Sequence, residues 1–313
     1  ADAQKDIFVE KPISLTIAEA RAMVEAVRRN GRVCQVGLYQ RSAPEFQLAC
    51  RLVQEGALGE VKLVYMIKPG ASQEVDLPAQ PVPESLDWDL WLGPAPWRPF
   101  NHRFHQLGES RGVVPWSFCR DFGGGMLTSN SVHAFDTVHW GLGLDDSGPL
   151  EVIPPETGEY PDLTYKYPGD VTVHVVNDRL DPNRHIIPVG WDVLTSLQNF
   201  GAVFVGDRGW IHVGRSGYLV SNLPELVRDG PGPYDRFEAL IKHQRNWLDA
   251  IRTRRQPACD ISAGCQSTIA SHLGCIATWT GRALKWDAAR EALLDDDEAN
   301  RMRQRAMRPP WRV

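Results

Sequence analysis

The chain has 313 residues, 42% of them hydrophobic and 23% charged, with a formal net charge of −5, the profile of a globular protein with a substantial core in one or two domains. That charge excludes a basic nucleic-acid footprint, and no run approaches the roughly 18 consecutive apolar residues of a membrane span. Six cysteines (34, 50, 119, 259, 265 and 275) form no C-x-x-C pair and read as buried free thiols.

In chain order, KDIFVEKPIS (5–14) gives a short apolar strand, Ile7-Phe8-Val9, that runs into Glu10-Lys11-Pro12. A strand ending this way is normally a sheet's exit edge, where ligands bind. SLTIAEARAMVEAVRRNGR (14–32) predicts a helix, with Thr16 and Glu19 as a capping box and Asn30-Gly31 as the stop. VCQVG (33–37) is a second strand, so the three make a βαβ unit with parallel strands. Two such strands are too few to stand alone, and the unit reads as the tail of a larger doubly wound fold. A helix from Pro44 and a strand over 60–69 follow. Residues 70–120 are rich in Pro, Trp and Gly and read as loops, carrying several of the eleven Trp in stretches such as DWDLWLGPAPW. Such rings either line a carbohydrate site or pack over the core. His102 and His105 stand there at i, i+3 with no cysteine or carboxylate cluster, so no metal site is expected. GGGMLTSNSVHAFDTVHWGLGL (123–144) predicts one helix behind a glycine run, with His133 and Asp136 a turn apart. Residues 150–220 predict antiparallel strands joined by hairpins, and two helices return over 234–255 and 262–284. The fold class expected is α/β plus α+β: a remnant of a Rossmann-type parallel sheet, then a domain with an open, mainly antiparallel sheet and flanking helices.

VEKP, QVGLYQRSAPEF, LVQEGALGEVK, DWDLWLGPAPWRPFNH, DFGGGML, VHAFDTVHWGLG, GWIHVGR, GRALKWD and DDEANRMRQRAMRPPW stand in an order that resembles the Gfo/Idh/MocA oxidoreductases, in the branch with a Trp-rich insertion. The resemblance covers nearly the whole chain. It implies that VEKP ends the fifth strand of a Rossmann domain, most of which is missing. Residues 1–40 would be its C-terminal remnant and 41–313 a substrate-binding and oligomerisation domain. It implies an NAD(P)-dependent oxidoreductase of a sugar, inositol or related polyol. The alternatives are an NAD-dependent glycoside-cleaving enzyme of the same family and a cofactor-free sugar-binding or scaffolding domain. No G-x-G-x-x-G occurs in the chain, so neither NAD nor NADP is expected to bind it alone. Homo-oligomers through the open sheet are expected. So is a cytoplasmic location, with export of a cofactor-loaded protein as the alternative.

The same resemblance assigns the site. Lys11 and Pro12 match the family's Lys-Pro, whose lysine lies between nicotinamide and substrate and whose bond is cis, and Glu10 approaches the nicotinamide ribose. His133 matches the catalytic histidine, the candidate base for the hydroxyl proton, with Asp136 as its structural neighbour. Ser129 stands where many relatives carry Asp. Tyr39, Gln40 and Arg41 lead from the last Rossmann strand toward the substrate, and His243 with Arg245 resembles a stretch beside the pocket.

Overall fold

The computed structural model describes residues 1–104, 115–198 and 200–312. The opening unit forms as read: β1 (Ile7–Val9) pairs in parallel with β2 (Cys34–Val36), Phe8 opposite Gln35, and α1 (Ile17–Arg29) crosses between them. The Thr16 hydroxyl accepts from the Glu19 N–H while the Glu19 carboxylate accepts from the Thr16 N–H, so the capping box is complete. Ile17, Ala20, Val24 and Val27 give α1 its buried stripe.

A 3₁₀ turn over Tyr39–Ser42 leads into α2 (Pro44–Gln54) and β3 (Val61–Met66). The Trp-rich stretch holds the short helices α3 (Trp88–Leu92) and α4 (Pro115–Phe118), whereas its sequence reads as loop; residues 105–114 lie outside the described residues. Next come α5 (Met126–Ser129), α6 (Ser131–Leu142), β4 (Glu151–Ile153), β5 (Leu163–Tyr167), β6 (Val171–Val175), β7 (Ala202–Gly206), β8 (Trp210–Val213) and β9 (Leu219–Ser221). The chain closes with α7 (Pro224–Val227), α8 (Arg236–Thr253), α9 (Ile261–Thr280), β10 (Leu284–Asp287), β11 (Ala292–Leu293) and α10 (Asp297–Arg301).

Nine strands form the large sheet in the order β11-β10-β4-β5-β6-β3-β7-β8-β9, antiparallel except where β3 runs parallel to β6, Tyr65 opposite His174. The single helix expected over 123–144 is two, broken at Asn130. The Ser131 hydroxyl accounts for the break. It accepts from the Lys68 N–H at 2.9 Å and donates to the Lys68 carbonyl at 2.6 Å, so the start of α6 is pinned to the exit of β3 and not to α5. The last long helix also ends earlier than read. Gly281 (φ 66°) caps it, and Leu284, Lys285 and Trp286 alternate buried, exposed, buried as β10.

α9 is apolar on nearly all sides because it is enclosed on nearly all sides, packing on α1, α6, β2 and β4. One core runs from Val36 of β2 through Leu273 of α9 and Val138 of α6 to Tyr165 of β5. The other face of the large sheet is partly covered by the 177–198 segment, whose Leu180, Trp191 and Leu197 pack on Tyr65, Ile67 and Val203. The Trp-rich stretch makes a core of its own from Trp88, Leu92, Phe100 and Phe104, with Trp88 and Trp91 stacked at 4.6 Å. These rings pack protein on protein. All six cysteines are buried and free, and no described helix is long and apolar enough to cross a membrane.

Candidate functional site

The site forms where β1, β3 and β8 leave their sheets. β1 delivers Glu10-Lys11-Pro12, and the Lys11–Pro12 bond is cis. The Lys11 Nζ donates to the Ser129 carbonyl at 2.5 Å. Ser129 ends α5, which starts at Gly125. There φ is 74° and a Cβ would stand 2.6 Å from the Gly70 carbonyl oxygen, so only glycine lets this helix approach the exit of β3 so closely. The carboxylate expected at position 129 to meet the lysine is thus replaced by a backbone oxygen, while the Ser129 hydroxyl faces Met126 and Asn130. Lys11 is half-buried. Burial lowers its pKa below the ordinary lysine value, the Arg215 charge lowers it further, and Glu10 opposes both. Glu10 itself is exposed, and its carboxylate lies against Gly37, where a Cβ would come within 2.5 Å of it.

His133 sits near the start of α6, 3% exposed, between the edges of Tyr39 (centroids 6.2 Å apart) and Phe200 (5.2 Å). Gln40 and Arg215 fix its chemistry. Arginine can only donate, so the Gln40 amide oxygen faces Arg215, accepting from Nε at 3.2 Å and Nη2 at 3.1 Å. In that orientation the Gln40 NH₂ lies 2.9 Å and the Gln40 oxygen 3.2 Å from His133 Nδ1. With the NH₂ as the donor, Nδ1 accepts and the single proton of the neutral ring is on Nε2. The ring is neutral because burial, then the charges of Arg215 and Lys11, hold its pKa well below the usual histidine value. In this tautomer His133 donates from Nε2.

Arg215 is the residue that sequence reasoning missed. Its guanidinium carbon lies 3.5 Å from the centroid of Phe200 and 4.9 Å from that of Tyr39, a cation held between two rings. Burial pulls its pKa down to about 10, which leaves it charged at neutral pH. It stands at the end of GWIHVGR, where an arginine after a strand reads as a solvated terminus. A cavity of about 770 Å³ opens beside it, lined among others by Lys68, Met126, Asp178, Phe200, Arg215 and Arg236. Lys11 and His133 lie outside its lining: Lys11 meets the Ser129 carbonyl, and His133 packs against Phe200.

Of the remaining predicted residues, Tyr39 and Gln40 reach the cluster and two others do not. Arg41, 6% exposed, points the other way. Its Nε and Nη2 donate to Asp136 at 2.9–3.0 Å, and Nη1 and Nη2 donate to Asp145 at 2.8 and 2.6 Å. Ser267 of α9 also donates to Asp136, at 3.1 Å. His243 is 1% exposed and uses both ring nitrogens internally, Nε2 donating to the Val36 carbonyl at 2.9 Å and Nδ1 accepting from the Ser42 hydroxyl at 2.8 Å. Burial lowers its pKa to about 4. Both residues dock the first forty residues onto the helices. Among the described residues no group of three His, Cys, Asp or Glu could hold a metal, and His105 lies outside them.

Residues 47–184 and 204–313 match the model of an oxidoreductase family's C-terminal alpha/beta domain, and residues 1–38 match the family's NAD-binding Rossmann fold. The chain is similar to scyllo-inositol 2-dehydrogenase (NAD(+)) of Bacillus subtilis (strain 168), 40% identical over 60 residues, 19% of this chain and 18% of that protein. It is also similar to levoglucosan dehydrogenase of Pseudarthrobacter phenanthrenivorans, 38% identical over 61 residues, 20% of this chain and 16% of that one. These matches span less than a fifth of either relative's length. Among solved structures, a levoglucosan dehydrogenase in complex with NADH and levoglucosan superposes with TM-score 0.58 at 16% identity, over 92% of this chain and 75% of the other. An aldose-aldose oxidoreductase from Caulobacter crescentus complexed with glycerol gives 0.54 at 19%, over 91% and 73%. At these identities the superpositions establish a shared fold.

Proposed function

The chain belongs to the Gfo/Idh/MocA oxidoreductase family, and from that premise we propose that it is the substrate-binding part of an NAD(P)-dependent dehydrogenase of a sugar, inositol or related polyol. The observation that carries this reading is the half-buried Lys11 and the buried, neutral His133, the latter packed on Phe200, which lines an open cavity. On the same reading residues 1–40 complete a nucleotide domain and 41–313 form the substrate domain.

The residues present suit one end of the dinucleotide. Glu10 is exposed and can accept from ribose hydroxyls, and Lys11 stands next to it. The chain has no glycine-rich strand-to-helix turn to cradle a pyrophosphate. The nicotinamide, when bound, supplies the hydride acceptor. Lys11, as the neutral amine, takes the hydroxyl proton as the C–H hydride departs and the carbonyl forms. His133 donates its Nε2–H to the same oxygen and steadies the charge that grows there. Gln40 and Arg215 hold the tautomer that makes this donation available. The test is a fusion that supplies a relative's Rossmann half in front of residue 1. The fusion should reduce NAD or NADP with at least one member of a sugar and polyol panel, while the 313-residue chain alone shows no micromolar nucleotide binding by calorimetry. A fusion that binds NAD yet is inert across the panel would remove the dehydrogenase reading.

We also propose that copies associate through the large sheet. The segment over its outer face exposes Ile186 (72%), Val189 (85%) and Leu194 (71%), apolar side chains that gain from being covered. Sedimentation at tens of micromolar should show a dimer or larger species, and substituting these three by Ser should shift it toward monomer. A clean monomer for the unaltered chain would refute the proposal.

A further inference from the structure

We propose that the substrate of this site is an anionic sugar or polyol, a sugar acid or sugar phosphate, whose charged group is received by Arg215, Lys68 and Arg236. The proposal rests on the dehydrogenase reading and names the substrate class within it.

The cations come from separate parts of the fold: Lys68 from the exit of β3, Arg215 from the exit of β8, Arg236 from the start of α8, and Lys11 behind them from the exit of β1. None of the four forms an ion pair with a carboxylate among the described residues. The one acidic residue lining the cavity, Asp178, already accepts from the Ser196 hydroxyl and lies 3.6 Å from Arg179. Elsewhere in the chain partly buried arginines do pair: Arg41 with Asp136, Arg98 with Asp121, Arg305 with Glu19. Arg215 does not. It is half-buried, with its faces between Phe200 and Tyr39 and one edge held by the Gln40 oxygen, and among the described residues nothing engages Nη1. An arginine taken from water without a counter-charge is costly unless something later supplies one. A planar guanidinium so fixed, with two further cations on the same cavity, matches a carboxylate or phosphate. A neutral polyol would leave all of these charges unanswered.

The geometry also separates two tasks. Arg215, Lys68 and Arg236 line the cavity, whereas Lys11 and His133 lie outside its lining, Lys11 on Ser129 and His133 against Phe200. A substrate held by its charge at the open side presents its ring hydroxyls inward.

The test is calorimetry on the full chain with D-glucuronate, D-glucose 6-phosphate, D-glucose, myo-inositol and inorganic phosphate. At least one of the two charged sugars should bind about tenfold to a hundredfold tighter than the neutral ones, and which of the two does so separates the carboxylate from the phosphate. Arg215→Gln should remove that preference. Because Arg215 is packed, the exposed Arg236→Gln serves as the fold-safe variant, and it should weaken charged sugars several-fold without changing neutral ones. Neutral sugars binding as tightly as charged ones would overturn the proposal and leave the dehydrogenase reading standing. Inorganic phosphate binding as tightly as the sugar phosphate would overturn it in favour of a bare anion site. No binding by any of the sugars would overturn the proposal, and the fusion assay decides the dehydrogenase reading separately.

Discussion

Lys11→Met in the fusion that carries a Rossmann half should lower kcat by about 10²–10⁴-fold, the usual contribution of a positioned proton acceptor, with the affinity for NAD unchanged. The sign of its pH dependence follows from its surroundings. Burial and the Arg215 charge disfavour the ammonium, so the Lys11 pKa lies below the ordinary 10.5. The rate of oxidation should therefore rise with pH as Lys11 loses its proton, and that rise should vanish in Lys11→Met. Lys11→Arg should be as inactive as Met, since a guanidinium keeps its proton. His133→Ala should behave differently. Its ring is already neutral across the working range, its pKa held well below 6.5, so losing it removes a donor and no titrating group. A fall of roughly 10² in kcat is expected, with the rising limb unmoved and no inflection near the usual histidine value in either protein. A rate–pH limb that persists in Lys11→Met and disappears in His133→Ala would hand the base to the histidine.

The second large effect is on stability. Arg41→Met should destabilise the chain by about 3–5 kcal/mol, because it leaves Asp136, 1% exposed, as a buried carboxylate without its counter-charge. Asp145, half-exposed, keeps water and suffers less. Arg41→Met combined with Asp136→Leu should recover most of the loss, since a well-packed apolar pair replaces a buried ion pair at little cost. Urea unfolding midpoints measure both. If Arg41→Met left the midpoint unchanged and instead raised KM, Arg41 would belong to the substrate after all.

The contrast between Arg41 and Arg215 shows what local sequence carries. The opening βαβ unit was legible because its signals are short-range: a capping box three residues apart and an Asn-Gly stop fix α1 whatever surrounds it. Lys11 and His133 were legible as motif positions. The roles of the two arginines depend on residues far along the chain. Arg41 meets Asp136 across 95 positions, and Arg215 acquires its setting only when Tyr39, Gln40 and Phe200 arrive from other elements. Nothing next to Arg41 says that it turns inward, and nothing next to Arg215 says that it does not point to water. The tryptophans posed the same difficulty. Composition offers the rings but not the direction they face, and Trp88 and Trp91 face each other. The β10 strand was hidden by length alone, since four residues with one clean alternation are easily absorbed into a preceding helix.

The pin that Ser131 makes on both backbone groups of Lys68 has a consequence for how such a site can change over generations. It ties the strand that shapes one wall of the cavity to the helix that carries His133, two residues further on. A variant that widens the pocket by shifting the exit of β3 drags the donor away from the reacting oxygen and is lost for poor turnover, not for poor fit. The opposite wall, built from 196–198, Phe200 and 215–216, carries among the described residues no such tether to α6 beyond ring contacts and the Gln40 bridge. New substrates are therefore accommodated by rebuilding that wall, and the β3 side stays as the fixed jaw of the clamp.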